Sequence, residues 1–281
     1  MELFTTIKNL QAALLKYRNM NTSIGFVPTM GALHNGHLSL LKKCLSLDDI
    51  SVVSIYVNPS QFNDKSDFNN YPRNMQNDME LLMRKGCHIV FAPGNREMYP
   101  DEDTRVFDFG NMAKIMEGKF RPGHFNGVAQ IVTKLFDAVN PNRAYFGRKD
   151  FQQLAVIRKL VHDYNYKIEI IACPIVRETD GLAMSSRNTL LSPEQRKAAP
   201  LIYKTLSEIP KMICQTDIST ISSFVESTIN SSPFLQVEYF QIVDTHTLDP
   251  VVKLTHERPA TACIAVFAGN VRLIDNIELI S

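Results

Sequence analysis

Two histidines three residues apart, His34 and His37, stand in the stretch Val27-Pro-Thr-Met-Gly-Ala-Leu-His-Asn-Gly-His-Leu38. Imidazoles donate hydrogen bonds, carry protons or bind metals, and this pair falls where a strand-like apolar run passes into a helix-like one. Backbone N–H groups at a helix start favour anions. Gly31 and Gly36 would let the chain and the two rings approach a phosphate together. Two other readings use the same residues. Zinc would need a third ligand, and no H-E-x-x-H motif or cysteine pair supplies one. Alternatively the rings cap the helix and do nothing else.

Further segments carry groups of the same kind. Asn58-Pro-Ser-Gln-Phe-Asn63 follows a buried-strand pattern and holds amides suited to a carboxylate and hydroxyls, although an ordinary Asn-Pro turn has the same composition. Gly118-Lys-Phe-Arg-Pro-Gly-His-Phe-Asn-Gly127 sets Lys119, Arg121 and His124 among glycines ahead of a helix. That suits anion binding, a mobile cover or a plain solvated loop. In Gly147-Arg-Lys-Asp-Phe-Gln-Gln153, Lys149 offers a compact charge for a phosphate. Asp150 there is an N-cap or a ligand for a ribose hydroxyl, an amine or magnesium, and Gln153 follows on the first helical turn. Arg177-Glu-Thr-Asp-Gly-Leu-Ala-Met-Ser-Ser-Arg-Asn188 ends in hydroxyls and a guanidinium at Ser185, Ser186 and Arg187, a phosphate clamp or a serine-rich linker. Tyr71-Pro72-Arg73 merely enters the next helix. Neither a Walker motif nor G-x-G-x-x-G occurs.

The elements that must position these loops follow from periodicity. Ile7, Leu10, Leu14 and Tyr17 make an amphipathic helix. Strands are expected at 24–27, 51–57, 88–91, 144–146 and 167–172, with helices at 36–47, 74–85, 127–139 and 150–164 between them. This βαβ alternation predicts a doubly wound, mostly parallel sheet with ligands beyond the carboxyl ends of its strands. The loops after Val27, Val57, Phe146 and Ala172 should share one rim. Beyond about residue 176 the rhythm changes: helices near 193–209 and 218–230 precede strands at 236–244, 260–267 and 271–274, joined by turns such as Gly269-Asn270. Consecutive strands predict an antiparallel sheet in a smaller α+β domain, so the domains are placed at 1–176 and 177–281.

The length of 281 residues accommodates that division. Thirty basic against 29 acidic side chains leave a net charge of +1, so no global field gathers nucleic acid or an anionic membrane. An acid at Glu2 stands where a signal peptide carries bases, and no stretch reaches the roughly 18 apolar residues of a membrane span. A soluble, cytoplasmic protein is expected. The cysteines at 44, 87, 173, 214 and 263 are scattered and never in a C-x-x-C pair, which predicts small buried side chains rather than disulfides.

Together, Pro28-Thr-Met-Gly-Ala-Leu-His-Asn-Gly-His37, Val57-Asn-Pro-Ser-Gln-Phe62, Arg121-Pro-Gly-His-Phe125, Phe146-Gly-Arg-Lys-Asp-Phe-Gln-Gln153 and Gly181-Leu-Ala-Met-Ser-Ser-Arg-Asn188 closely resemble the pantothenate synthetase family, ATP-dependent ligases of vitamin B5 synthesis. The likeness runs through residues 24 to 190 and is looser beyond. It implies a Rossmann-like nucleotidylyl-transferase domain with an H-x-G-H signature, and Met184-Ser-Ser-Arg187 as counterpart of the K-M-S-K-S loop. It implies that (R)-pantoate and Mg-ATP form pantoyl adenylate and pyrophosphate, and that β-alanine then displaces AMP to give pantothenate.

The resemblance also assigns roles. His37 leads as proton donor or hydrogen-bonding clamp, with His34 and Lys149. ATP would lie against Met30, His34, His37, Gly147, Lys149, Asp150, Val176, Met184, Ser185, Ser186 and Arg187. Pantoate would be held by Gln61 and Gln153, with Gln61 also near β-alanine. Arg121 and His124 would act as lid or second-substrate residues, and residues 177–281 as a hinged cover. A cytoplasmic homodimer is implied as well. Two rival readings keep the phosphate loops: a nucleotidyltransferase of the same fold that releases a stable nucleotidylated product, and a non-enzymatic ATP-sensing module.

Overall fold

The computed structural model describes residues 1–213, 216–255 and 258–280. Cys214 lies outside them; Cys44, Cys87, Cys173 and Cys263 are buried thiols. The chain divides into two compact units, Met1–Arg148 with Gln153–Pro174, and Lys149–Gln152 with Ile175–Ser281.

In chain order the elements running through the first unit are β1 (Glu2–Phe4), α1 (Ile7–Asn19), β2 (Ile24–Thr29), α2 (Asn35–Leu47), β3 (Ile50–Ile55), α3 (Lys65–Asn70), α4 (Met75–Arg84), β4 (Ile89–Phe91), α5 (Asn95–Met98), α6 (Met116–Phe120), α7 (His124–Val139), β5 (Arg143–Gly147), α8 (Phe151–Asp163) and β6 (Glu169–Cys173). The strands form one parallel sheet in the order β1-β4-β3-β2-β5-β6. Alternating side chains of a strand go to opposite faces. Phe26 and Val52 therefore join Leu10, Leu14, Phe136 and Leu160 on one face, while Val27 and Val53 join Leu38, Leu41 and Leu82 on the other. Both faces are thus covered, which is why every residue of β3, Ser51 and Ser54 included, is buried.

The sheet grows from β2 to β3 and β4 on one side and from β2 to β5 and β6 on the other. The order reverses between β2 and β5. In such sheets the crevice beyond the strand ends at that point is where ligands bind. The turn after Thr29 and the residues after Gly147 leave the strands on either side of it.

The second unit contains α9 (Pro193–Ala198), α10 (Leu201–Leu206), α11 (Ile209–Met212), α12 (Ile218–Asn230) and the antiparallel sheet β7 (Leu235–Asp244), β8 (Ala260–Ala268), β9 (Val271–Ile280). Its core packs Leu206, Ile221, Val225 and Ile229 with Ile264 and Val266. Among the described residues no helix is long and apolar enough to cross a membrane.

Several elements depart from the periodicity. The expected 193–209 helix is three short ones, because Pro200 and Pro210 each remove a backbone donor. α7 begins at His124 rather than at 127, after Gly123 at φ +80°. β9 runs to Ile280 instead of ending at Ile274, carrying the polar pair Asp275 and Asn276 inside the sheet. The three-residue β1 has too little periodicity to announce itself.

Candidate active site

The bend from β2 to α2 is shaped by backbone. Gly31 has φ +80° and Ala32 φ +48°, consecutive left-handed residues of which the second is strained. Successive N–H groups in such a bend form a small anion cradle. The Asp78 carboxylate, from α4, fills it: Ala32 N donates to Oδ2 at 2.9 Å and Leu33 N to Oδ1 at 2.7 Å. Asp78 is 1% exposed. Burial pushes its carboxyl up from the usual range, and the two backbone bonds pull it back. A Cβ on Gly31 would come within 2.9 Å of Asp78 Oδ2, so glycine keeps the room the carboxylate needs.

α2 then opens on the two histidines. His34 is its N-cap, with Nδ1 accepting from Gly36 N at 3.1 Å, while His37 Nδ1 accepts from His34 N at 3.4 Å. The ring centroids are 4.1 Å apart. Since Nδ1 of each ring accepts, the proton of the neutral imidazole lies on Nε2. The cap therefore fixes the tautomer rather than competing with chemistry. Two Nε2–H donors beside a helix N-terminus can serve an anion. Among the described residues no three His, Cys, Asp or Glu side chains are grouped to hold a metal.

The turn after β3 is fastened from several sides. Asn58, 1% exposed, donates through Nδ2 to Gly127 O at 3.1 Å and to Gln61 Oε1 at 3.3 Å, and accepts from Tyr99 Oη at 2.8 Å. Gln61 Nε2 donates to Met30 Sδ at 3.0 Å, which brings the loops after β2 and β3 together. Buried His124 meets Gln61 O through Nδ1 at 2.8 Å, and Arg121 Nη2 donates to the same oxygen at 3.3 Å. Arg121 and His124, expected as lid or second-substrate groups, thus hold the backbone that carries Gln61. Arg73, expected to enter the next helix, instead turns back on the preceding one: it donates to Phe68 O at 2.8 Å and lies over the Phe68 ring, closing α3. Gly147 ends β5 in register with Cys173, and Gln153 is the third residue of α8.

The second unit contains the other expected groups. Arg177 bridges Ala183 across a short hairpin, and Met184 N donates to Val176 O at 3.0 Å. The hairpin delivers Ser185, whose Oγ caps the 3₁₀ turn Ser186–Leu190 by accepting from Arg187 N at 3.3 Å. Arg177 Nη1 and Nη2 donate to Asp275 at 2.6 and 3.0 Å, and Arg177 lies 3.6 Å over the Tyr203 ring. Burial raises the Asp275 carboxyl, opposed by Arg177. Lys149, Ser185, Asn188 and Asp275 line one small cleft, in which Asn188 Oδ1 is buried without a partner. Lys149 Nζ stands 3.9 Å from Asp150 Oδ2.

Known proteins are similar along the whole chain. A family profile described as pantoate-beta-alanine ligase matches residues 2–278. A pantothenate synthetase of Bacteroides thetaiotaomicron is 51% identical over 278 residues, covering 99% of both chains. One of Cytophaga hutchinsonii is 46% identical over 98% of both. Among solved structures, the pantothenate synthetase of Thermus thermophilus superposes with a TM-score of 0.93 at 41% identity over the full length of both chains. A Francisella tularensis pantoate-beta-alanine ligase, complexed with beta-gamma ATP and beta-alanine, gives 0.83 at 37% identity, covering 99% of this chain and 98% of that one.

Proposed function

Because the chain belongs to the pantoate-beta-alanine ligase family, we propose that it condenses (R)-pantoate with β-alanine, using ATP, through a pantoyl adenylate. A pantoate carboxylate oxygen attacks the α-phosphorus, and the electron pair of the broken P–O bond leaves on pyrophosphate. The β-alanine amine then attacks the activated carbonyl, AMP departs with the C–O electron pair, and the amine releases a proton. Activation is needed because a bare carboxylate has no adequate leaving group, whereas the mixed anhydride expels AMP.

The observation that carries this reading is the His34–His37 capping box at the start of α2, beside the point where the sheet order reverses. Negative charge grows on the bridging oxygen as pyrophosphate leaves, and preorganised donors there favour the transition state over the bound substrate. The fixed Nε2–H tautomer supports His37 as a hydrogen-bonding clamp rather than an acid, with His34 as partner. Lys149, Ser185, Ser186 and Arg187 supply the remaining charge and donors. Met30, Gly147, Asp150, Val176 and Met184 line the nucleotide, and Gln61 and Gln153 hold pantoate, with Gln61 next to β-alanine. Mg²⁺ carried on the triphosphate would neutralise part of the phosphate charge that Lys149, Ser185, Ser186 and Arg187 face. Residues 177–281 act as a cover that keeps water from the adenylate. A cytoplasmic homodimer belongs to the same reading.

The test is product analysis. Pantoate should stimulate pyrophosphate formation from ATP, and AMP with pantothenate should appear only once β-alanine is added. An enzyme whose pyrophosphate output ignores pantoate would exclude the assignment.

The support around Gln61 gives a further expectation. A Cβ at Gly127 would stand 2.2 Å from Ser60 O and 2.8 Å from Gln61 N. Gly127→Ala must therefore displace the Asn58–Gln61 turn, costing about 1–3 kcal/mol of stability as overpacking does. The KM for pantoate should rise together with the lost stability, measured by denaturant unfolding and steady-state kinetics. Wild-type values for both would show that the turn is not held there.

A further inference from the structure

We propose that Asp275 and Asn276, the buried polar pair of β9, are positioning residues that hold Lys149 and the Ser185–Arg187 turn in one frame. The inference rests on the reading of those two elements as phosphate-binding. Adjacent residues of a strand face opposite sides, yet Asp275 is 4% and Asn276 6% exposed, so both faces of β9 are covered here. Apolar residues would fill such positions at less desolvation cost, and a buried ion pair is weak support for stability by itself. The two side chains instead reach the two phosphate elements.

Asp275 takes both terminal nitrogens of Arg177, at 2.6 and 3.0 Å. Arg177 Nη1 also donates to Gly181 O at 3.2 Å, across the hairpin that leads into Ser185. Gly181, at φ +92°, must lack a side chain, because a Cβ would stand 2.7 Å from the Tyr203 ring beneath Arg177. Carboxylate, guanidinium and ring thus fix where the serine turn begins. Asn276 Nδ2 donates to Lys149 O at 2.9 Å, which anchors the backbone from which that ammonium extends. Asn276 N donates to Asp275 Oδ1 at 2.8 Å, joining the two anchors. Lys149, Ser185 and Asp275 accordingly line the same cleft.

The reaction separates this role from a merely structural one. Cations placed on the leaving pyrophosphate assist adenylate formation, and they have no leaving pyrophosphate to act on when adenylate is supplied ready-made. Pantoate-dependent ATP–pyrophosphate exchange and amide formation from supplied pantoyl adenylate are measured for Asn276→Ala, Lys149→Ala and the double variant. Asn276→Asp, nearly isosteric but without the donor, replaces the alanine variant should that one fail to fold. Asn276→Ala is expected to slow exchange about tenfold or more, as a misplaced catalytic group does, while leaving amide formation within about threefold. In the Lys149→Ala background the same change should matter less than about twofold, since residues acting as a unit are not additive. Equal loss in both half-reactions, or full additivity with Lys149→Ala, overturns the positioning role. So does an impaired Lys149→Ala beside unaffected Asn276 variants. Full exchange activity in Lys149→Ala overturns the phosphate-binding reading itself, and the positioning role with it.

Discussion

Lys149→Ala is expected to lower the turnover of pantoate-dependent ATP–pyrophosphate exchange by about two to three orders of magnitude, some 3–4 kcal/mol of transition-state stabilisation. Its KM for ATP should move far less, because the cation matters most as charge develops on the leaving group. Folding should hardly change. The Lys149 side chain is 18% exposed, its pairing with the half-exposed Asp150 at 3.9 Å contributes little, and the buried Asp275, whose carboxylate Lys149 also favours, keeps its two direct bonds to Arg177. Lys149→Arg keeps the charge but presents it as a planar fork, so it should recover activity only in part. His37→Ala should slow the same step while also removing one arm of the cap on α2, at about 0.5–2 kcal/mol of stability. Rapid kinetics with thermal unfolding of each variant checks the contrast, and wild-type exchange in Lys149→Ala contradicts it.

The second large effect is expected at Asp78, which touches no proposed ligand. Asp78→Ala removes the acceptor from the N–H groups of Ala32 and Leu33, where the backbone is held left-handed just ahead of His34. Loss of buried acceptors of this kind costs about 1–3 kcal/mol each. The bend should relax and carry the histidines with it, and small misplacements of catalytic groups can cost about a hundredfold in rate. Asp78→Asn separates shape from charge: it fills the space but sets an NH₂ against one of the backbone donors, so it should remain impaired. Denaturant unfolding and exchange kinetics give the two readouts. Full activity in Asp78→Asn would show that the bend holds itself.

These two sites differ in how far the sequence reveals them. Lys149, His34 and His37 announce themselves because each sits at a strand-to-helix transition, where local pattern and ligand chemistry coincide. The sheet was legible for the same reason: Ser51 to Ile55 is apolar or small throughout and rich in β-branched residues, the mark of a strand covered on both faces. Asp78 gives no such signal. It lies in an amphipathic helix among polar neighbours, and only the chain path brings it to residues 32 and 33. Asn58 and Tyr99 meet across 41 positions, and Asn276 reaches Lys149 across 127, separations that periodicity does not encode. A partial clue existed in β9, where Asp-Asn interrupts an otherwise alternating run at positions 275 and 276. Read as the end of a strand, it is the buried centre of one. His124 was the opposite case, an imidazole in a glycine-rich stretch that suggested an anion site or a mobile cover. Gly123 at φ +80° lets α7 start one residue later, and the ring is buried against Gln61 O.

The measurement that reaches the central claim most directly follows an oxygen atom. Pantoate labelled with ¹⁸O in its carboxylate is turned over with ATP and β-alanine, and the nucleotide product is weighed by mass spectrometry. Attack by the carboxylate on the α-phosphorus, followed by C–O cleavage of the adenylate, places one labelled oxygen in AMP. Label in orthophosphate with ADP as the nucleotide product, or AMP free of label, would contradict an acyl adenylate.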